Sequence, residues 1–292
     1  MSDYRNYRYR SADDRLDLYA RIYESASAAE APPPLLLMHG LTRNSSDFDG
    51  LAAVLAKDYQ LIVPDQRGRG DSEYDPEAAN YSPQVYAQDM FALLASLDIT
   101  DTTLIGTSMG GLMAMLMATV RPEMFRGIVL NDIGTVLEQA GLDRILGYVG
   151  KVAPPTNWDE AVRYTKSIIG DAFPDVEDNG FWERFARNNF EQRDGKLVAR
   201  YDPAIAEGIS GDDATAVPPD LWPIWEGLTD MPALVIRGAV SDLLSAETVA
   251  EMGQRHSGEF TAIEVPGRGH APMMDEDVAV SAITRFLTRL YP

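Results

Sequence analysis

The chain has 292 residues, 45% of them apolar and 24% charged, a balance that supports a large folded core and argues against wholesale disorder. Its formal net charge of −20 argues against nucleic acid or an anionic membrane as a partner, because both would repel it. Cysteine is absent, which removes disulfides, thiolate metal sites and a cysteine nucleophile together.

The start, Met1-Ser2-Asp3-Tyr4-Arg5, is polar with no apolar segment behind it, and the longest apolar stretch, Leu112 to Val120, is too short to span a bilayer. The expected compartment is therefore the cytoplasm. Tyr7–Arg10 and Leu16–Tyr23 alternate apolar and polar residues around Ala12-Asp13-Asp14-Arg15, which predicts a half-buried antiparallel hairpin. After Pro32-Pro33-Pro34 the pattern becomes short continuous apolar runs at Leu35–Met38, Leu61–Val63, Thr103–Ile105, Ile128–Leu130, Ala233–Ile236 and Ala262–Val265. Such runs suit strands of a parallel sheet covered on both faces. Helical spacing lies between them, at Ser45–Lys57, Pro83–Leu97, Met109–Val120, Ala246–His256 and Asp277–Leu290. This alternation predicts an α/β fold with a doubly wound, mostly parallel sheet. From about Gly134 to Leu228 the rhythm breaks: helical stretches continue, all four tryptophans fall here, and no buried strand is evident. The expected organisation is a core of residues 1–133 and 229–292 with a helical cap inserted at 134–228.

Gly106-Thr107-Ser108-Met109-Gly110 matches G-x-S-x-G and sits where a predicted strand gives way to a predicted helix. That context matters more than the string, because the chemistry needs a sharp turn that projects the serine while flanking glycines admit close approach of strand and helix. A serine hydroxyl needs a base in hydrogen-bond reach, usually a histidine oriented by a carboxylate. Of the three histidines, His270 lies in a loop just after the last predicted strand and is the expected base. His256, on Arg255-His256-Ser257-Gly258, reads as a solvated or capping residue at a helix end. His39 reads as a packed residue ordering its loop. Two carboxylates compete for the acid: Asp242 follows the penultimate strand and is preferred on its order and loop context, and Asp132, after the strand next to the nucleophile's, is the alternative. The oxyanion donors are expected from the N–H groups of Met109 and Leu41. Asp65-Gln66-Arg67-Gly68-Arg69-Gly70-Asp71-Ser72 lacks the lysine and spacing of a phosphate loop and reads as a charged turn bracing its neighbours. No metal-ligand cluster or dinucleotide fingerprint appears, so no cofactor or metal is expected. Single cap tryptophans read as packing residues, and the Arg184/Arg187 pair as solvated helix charges.

Taken together, His39-Gly40, the Asp65–Ser72 turn, Gly106–Gly111, Asp242 and Gly269-His270 resemble the α/β-hydrolase superfamily, in its capped esterase, lactonase and carbon-carbon hydrolase branch. The resemblance implies a small-molecule ester or lactone as substrate, attack by Ser108 on its carbonyl with His270 as base, an acyl-enzyme, and water activated by His270 to release the acid. Serine rather than aspartate at the elbow sets the chain apart from the dehalogenase and epoxide hydrolase branches. The short loop at Gly40 speaks against bulky tertiary-alcohol esters. The same scaffold also hosts carbon-carbon hydrolases, lyases and weakly catalytic small-molecule receptors, and these stand as the alternatives.

Overall fold

The computed structural model describes residues 3–25, 32–151, 153–210, 220–228 and 230–292. Met1 and Ser2, and residues 152 and 211–219 of the expected insertion, lie outside the described residues. The chain opens on β1 (Arg5–Arg10) and β2 (Asp17–Tyr23), paired antiparallel with Tyr9 opposite Leu18. β3 (Leu35–Met38), α1 (Asp49–Leu55), β4 (Leu61–Asp65), α2 (Pro83–Ser96), β5 (Thr102–Thr107), α3 (Met109–Val120) and β6 (Phe125–Asn131) follow. Next come α4 (Gln139–Tyr148), α5 (Trp158–Ile169), α6 (Asn179–Asn189), β7 (Phe190–Arg193), β8 (Lys196–Ala199), α7 (Ile205–Ser210) and α8 (Trp222–Glu226). The chain closes with β9 (Ala233–Gly238), α9 (Ala246–Arg255), β10 (Phe260–Val265) and α10 (Asp277–Leu290). Helix α2 starts as the sequence suggests, with Ser82 capping the Val85 N–H and proline in the first turn.

Among the described residues, eight strands form one sheet in the order β1-β2-β4-β3-β5-β6-β9-β10. β2 runs antiparallel to β4, and the pairs from β4 to β10 are parallel. Alternate residues of each inner strand feed opposite layers. Leu104, Ile128, Leu130 and Val235 pack with Met90, Leu93, Leu112 and Met113 of α2 and α3, whereas Ile105, Val129, Leu234 and Ile236 pack with Leu51 of α1 and with Ile283 and Phe286 of α10. Two covered faces explain why the inner strands read as unbroken apolar runs. They also correct the half-buried reading of β2, which is buried from Leu18 through Tyr23 because β1 and β4 flank it and Leu18, Ala20 and Ile22 meet one layer while Tyr23 meets the other.

Parallel order brings the loops after β3, β5, β6, β9 and β10 to one sheet edge. The stretch between β6 and β9 carries α4 to α8, and it also holds a strand pair that the sequence reading missed. β7 and β8 form a hairpin around Asp194-Gly195, both at positive φ (50° and 76°), the Asp-Gly turn that matches strand twist. This stretch between β6 and β9 touches the Asp65–Ser72 turn and α2's entry, where Gly70 N–H donates to the Arg200 carbonyl, Asp202 N–H to the Gly68 carbonyl, and Tyr81 Oη to Asp202 at 2.6 Å.

That turn is braced by buried charge. Asp65 accepts the N–H groups of Ser45 (2.6 Å) and Asp71 (2.8 Å), and Arg67, fully buried, grips Asp75 at 2.6 Å and Asp89 at 2.7 and 2.8 Å. Removing one partner of such a cluster strands the others in a dry interior. Arg67→Met is accordingly expected to lower unfolding free energy by about 3–5 kcal/mol, read from chemical denaturation against wild type.

Candidate active site

β5 ends in the turn at Ser108, whose backbone sits at φ 52°, ψ −117°, a conformation that costs an L-residue of order 1–3 kcal/mol and must be enforced by its surroundings. The enforcement is visible in the glycines. A Cβ on Gly106 would lie 2.3 Å from the Gly110 carbonyl oxygen, and one on Gly110 would lie 2.0 Å from that of Met38, so strand and helix meet at a distance only glycine allows. Ser108 N–H is tied to the Asn131 carbonyl on the neighbouring β6, and its hydroxyl is left pointing out of the turn.

Ser108 Oγ lies 2.9 Å from His270 Nε2, and His270 Nδ1 lies 2.8 Å from Asp132 Oδ2. In the neutral imidazole, Nδ1–H donates to the carboxylate and leaves Nε2 to accept the serine proton. Asp132 follows β6 at φ 54° and is fully buried. Its Oδ1 accepts the Gly238 N–H at 2.7 Å, and Oδ2 accepts the Ser241 hydroxyl at 2.6 Å besides His270. Asn131 steadies the arrangement by donating to Thr107 Oγ1 and to the Pro272 carbonyl in the histidine loop.

The preference for Asp242 is therefore corrected: the structure sets Asp132 against His270 and gives Asp242 to Arg144 of α4, by a two-pronged pair at 2.5 and 2.8 Å. Hydrogen bonding from Arg144 holds the Asp242 carboxyl below its ordinary range. Arg144 lies 98 residues away in sequence, so no local pattern could reveal the competition. His256, read as solvated or capping, is the C-cap residue of α9, its N–H donating to the Met252 carbonyl, and the solvated half of that reading is corrected. It is buried, its Nε2 is 2.9 Å from the Met231 carbonyl, and its ring lies on Trp225, with centroids 4.9 Å apart. Arg184 and Arg187 are exposed on α6, as expected of solvated helix charges; Arg184 approaches Asp178 at 3.9 Å and Arg187 lies over Trp158. Trp182 and Trp225 are buried in core clusters, in keeping with a packing role.

His39 joins the loop after β3 to the Asp65–Ser72 turn. Gln66 N–H donates to its Nε2 at 3.1 Å, so Nδ1 carries the proton and donates to the Gly40 carbonyl at 2.8 Å. Burial pushes its pKa down to about 3. The loop it orders sits over the elbow: a Cβ on Gly40 would lie 3.7 Å from Ser108 Cβ. Among the described residues Leu41 N–H has no protein acceptor, and Met109 N–H opens α3, where first-turn donors lack partners within the helix.

Two hollows meet at Ser108. One, of about 70 Å³, contains His270 with Gly40, Thr42, Arg43, Thr107 and Tyr148. The other, of about 240 Å³, lacks the histidine and is bounded mainly by apolar side chains, among them Met109, Leu112, Ile133, Leu142 and Leu243. Tyr164, Phe185, Phe190 and Tyr201 border a third, smaller hollow that shares Thr42, Arg43, Tyr148 and Ile169 with the first.

Residues 35–283 match the family model described as alpha/beta hydrolase family. The chain belongs to that family. This hydrolase is 32% identical to the 3-hydroxybutyrate-oligomer hydrolase of Cupriavidus necator, over 93% of this chain and 94% of that one. It is 26% identical to the 2-(acetamidomethylene)succinate hydrolase of Mesorhizobium japonicum, over 94% of both. The crystal structure of an alpha/beta hydrolase from Novosphingobium aromaticivorans superposes with a TM-score of 0.90 at 40% identity, covering 99% of each chain. Among the described residues no helix of the hydrolase is long and apolar enough to cross a membrane.

Two outcomes are expected of the hydrolase. Asp132→Asn removes the acceptor that fixes the histidine tautomer and is expected to slow hydrolysis of a p-nitrophenyl ester by roughly 10⁴-fold, while Asp242→Asn slows it less than tenfold. His39 binds a proton in the unfolded chain near pH 6.5 but resists it when folded until about pH 3, so its contribution is present above 6.5 and is lost as pH falls through that window. The slope from this one group is about 1.4 kcal/mol per pH unit. Denaturation series across this range are expected to show a shallower slope in His39→Gln.

Proposed function

We propose that this hydrolase cleaves small carboxylic esters or lactones through an acyl-enzyme on Ser108, with His270 as base and Asp132 as the orienting acid. The observation that carries the reading is the unbroken relay from Ser108 Oγ to His270 (2.9 Å) to a buried carboxylate (2.8 Å). As Ser108 attacks the carbonyl carbon, its proton moves to His270 Nε2 and the imidazolium is held by Asp132. The carbonyl oxygen, now anionic, takes hydrogen bonds from Leu41 and Met109 N–H. Collapse breaks the bond to the leaving oxygen, which receives the proton from His270; a water then repeats the sequence on the acyl-enzyme and frees the acid.

The proton return supports a division of the site. A leaving oxygen must come within reach of Nε2, so the hollow that contains His270 suits the alcohol portion and the apolar hollow without it suits the acyl group. The alcohol side opens toward Tyr164, Asn189 and Tyr201 through residues shared with the third hollow, which suits an elongated leaving group of mixed polarity. A chain of ester-linked hydroxy acids has that character, and the Cupriavidus relative supports the same class. In this reading the segment 134–228 acts as a cap over the sheet edge.

Intact-mass spectrometry after exposure to a fluorophosphonate is expected to show one adduct on wild type and none on Ser108→Ala, with release of monomer from a 3-hydroxybutyrate dimer by wild type alone. Folded wild-type protein that takes no label would sink the proposal.

A further inference from the structure

Arg69 is fully buried, yet no carboxylate pairs with it among the described residues. The acids of its neighbourhood are engaged elsewhere. Asp65 takes two backbone N–H groups, Asp75 and Asp89 hold Arg67, Asp71 pairs with Arg200 at 2.9 Å, and Asp202 accepts from Tyr81. A buried cation without a counter-ion is costly and persists only when other contacts offset the lost hydration. Here the guanidinium lies over the Tyr86 ring at 4.6 Å and near that of Tyr81 at 5.6 Å. Its remaining contacts are specific: Nη1 donates to the Arg67 carbonyl at 2.8 Å, Nε donates to the Leu41 carbonyl at 2.8 Å, and Nη2 is 3.8 Å from Met109 Sδ.

Leu41 and Met109 are the two residues whose N–H groups face the oxyanion in the reading above, and one side chain touches both. We propose that Arg69 is a positioning residue of the oxyanion hole: its guanidinium pins the Leu41 loop against the start of α3 and places an unneutralised positive charge behind the two donors. Negative charge is absent from the carbonyl oxygen of the bound ester and appears in the tetrahedral adduct. A fixed cation in a dry setting therefore favours the adduct over the ground state, without reorganisation at the moment of reaction. A guanidinium suits this task because its fork reaches several fixed acceptors while its charge is permanent.

The inference rests on Ser108 being the nucleophile, and the test separates the two. A phenyl trifluoromethyl ketone forms an anionic tetrahedral adduct with an activated serine, so its inhibition constant reads oxyanion stabilisation, while KM for p-nitrophenyl butyrate follows the neutral ground state. Arg69→Met, checked for folding by circular dichroism, is expected to lose about tenfold to a hundredfold in kcat and in adduct affinity together, with KM within about threefold of wild type. Arg69→Lys keeps the charge but not the fork, and is expected to lose less, about fivefold, in the same two quantities. Should Arg69→Met fail to fold, the lysine variant decides: a joint fall at steady KM sustains the proposal, and wild-type values overturn it. In folded Arg69→Met, wild-type kcat and adduct affinity, or a change confined to KM, would likewise overturn it. A wild-type chain that forms no adduct would instead remove the serine reading itself.

Discussion

The site depends on one strained residue. Ser108 is held at φ 52°, ψ −117° because β5 and α3 approach so closely that the flanking glycines have no room for a Cβ. If the approach relaxed, the serine would return to an ordinary conformation and its hydroxyl would leave the line to His270. The approach is secured by what lies on either side. Met38 of β3 presses its carbonyl against Gly110, and Ile133 after β6 crowds Gly111. Strand order thus sets the site: β3 and β6 flank β5, and they bring the Gly40–Leu41 loop and Asp132 to either side of Ser108.

The second constraint is electrostatic. The Asp65–Ser72 turn concentrates buried polar groups beside the His39–Leu41 loop, and each has a distinct attachment. Asp65 satisfies backbone donors, Arg67 closes on two carboxylates, and His39 accepts from Gln66 while donating to Gly40. Arg69 alone among them reaches upward to Leu41 and Met109. Groups with low individual tolerance for misplacement make a stiff support, since moving any of them breaks a buried hydrogen bond. In the proposed mechanism such stiffness would keep the Leu41 and Met109 N–H groups aimed while substrate exchanges with solvent.

Much of this was legible in the sequence because it is local. The limits of α10 follow from apolar periodicity and those of α3 from the continuous apolar run behind Ser108, and Gly106–Gly110 announces the elbow because its physical requirement, small residues two positions either side of a projecting serine, is written within five positions. His270 could be singled out from three candidates by its place after the last strand. What was not legible depends on side-chain partners far apart in the chain or on competition between them. The burial of His256 needs Trp225 and Met231. The β7–β8 hairpin did carry a local signal, Asp194-Gly195, which was masked by the weak alternation of strands exposed on one face.

The choice between Asp132 and Asp242 has a physical logic that chain order cannot express. Both acids stand at adjacent strand ends of the same sheet edge. A carboxylate gripped two-pronged by Arg144 has its charge matched by a full cation, which leaves it little with which to stabilise an imidazolium. Asp132 takes its other hydrogen bonds from a backbone N–H and a serine hydroxyl, neutral donors that orient it without cancelling its charge. In the proposed mechanism it would meet the developing imidazolium with its negative charge intact and in a dry setting, where that attraction is strongest. Asp242, spared that task, can anchor α4, and with it Leu142 and Ile145 on the wall of the apolar hollow. Two acids at one sheet edge thus have separate attachments: Asp132 holds His270, and Asp242 holds the helix that bounds the apolar hollow beside Ser108.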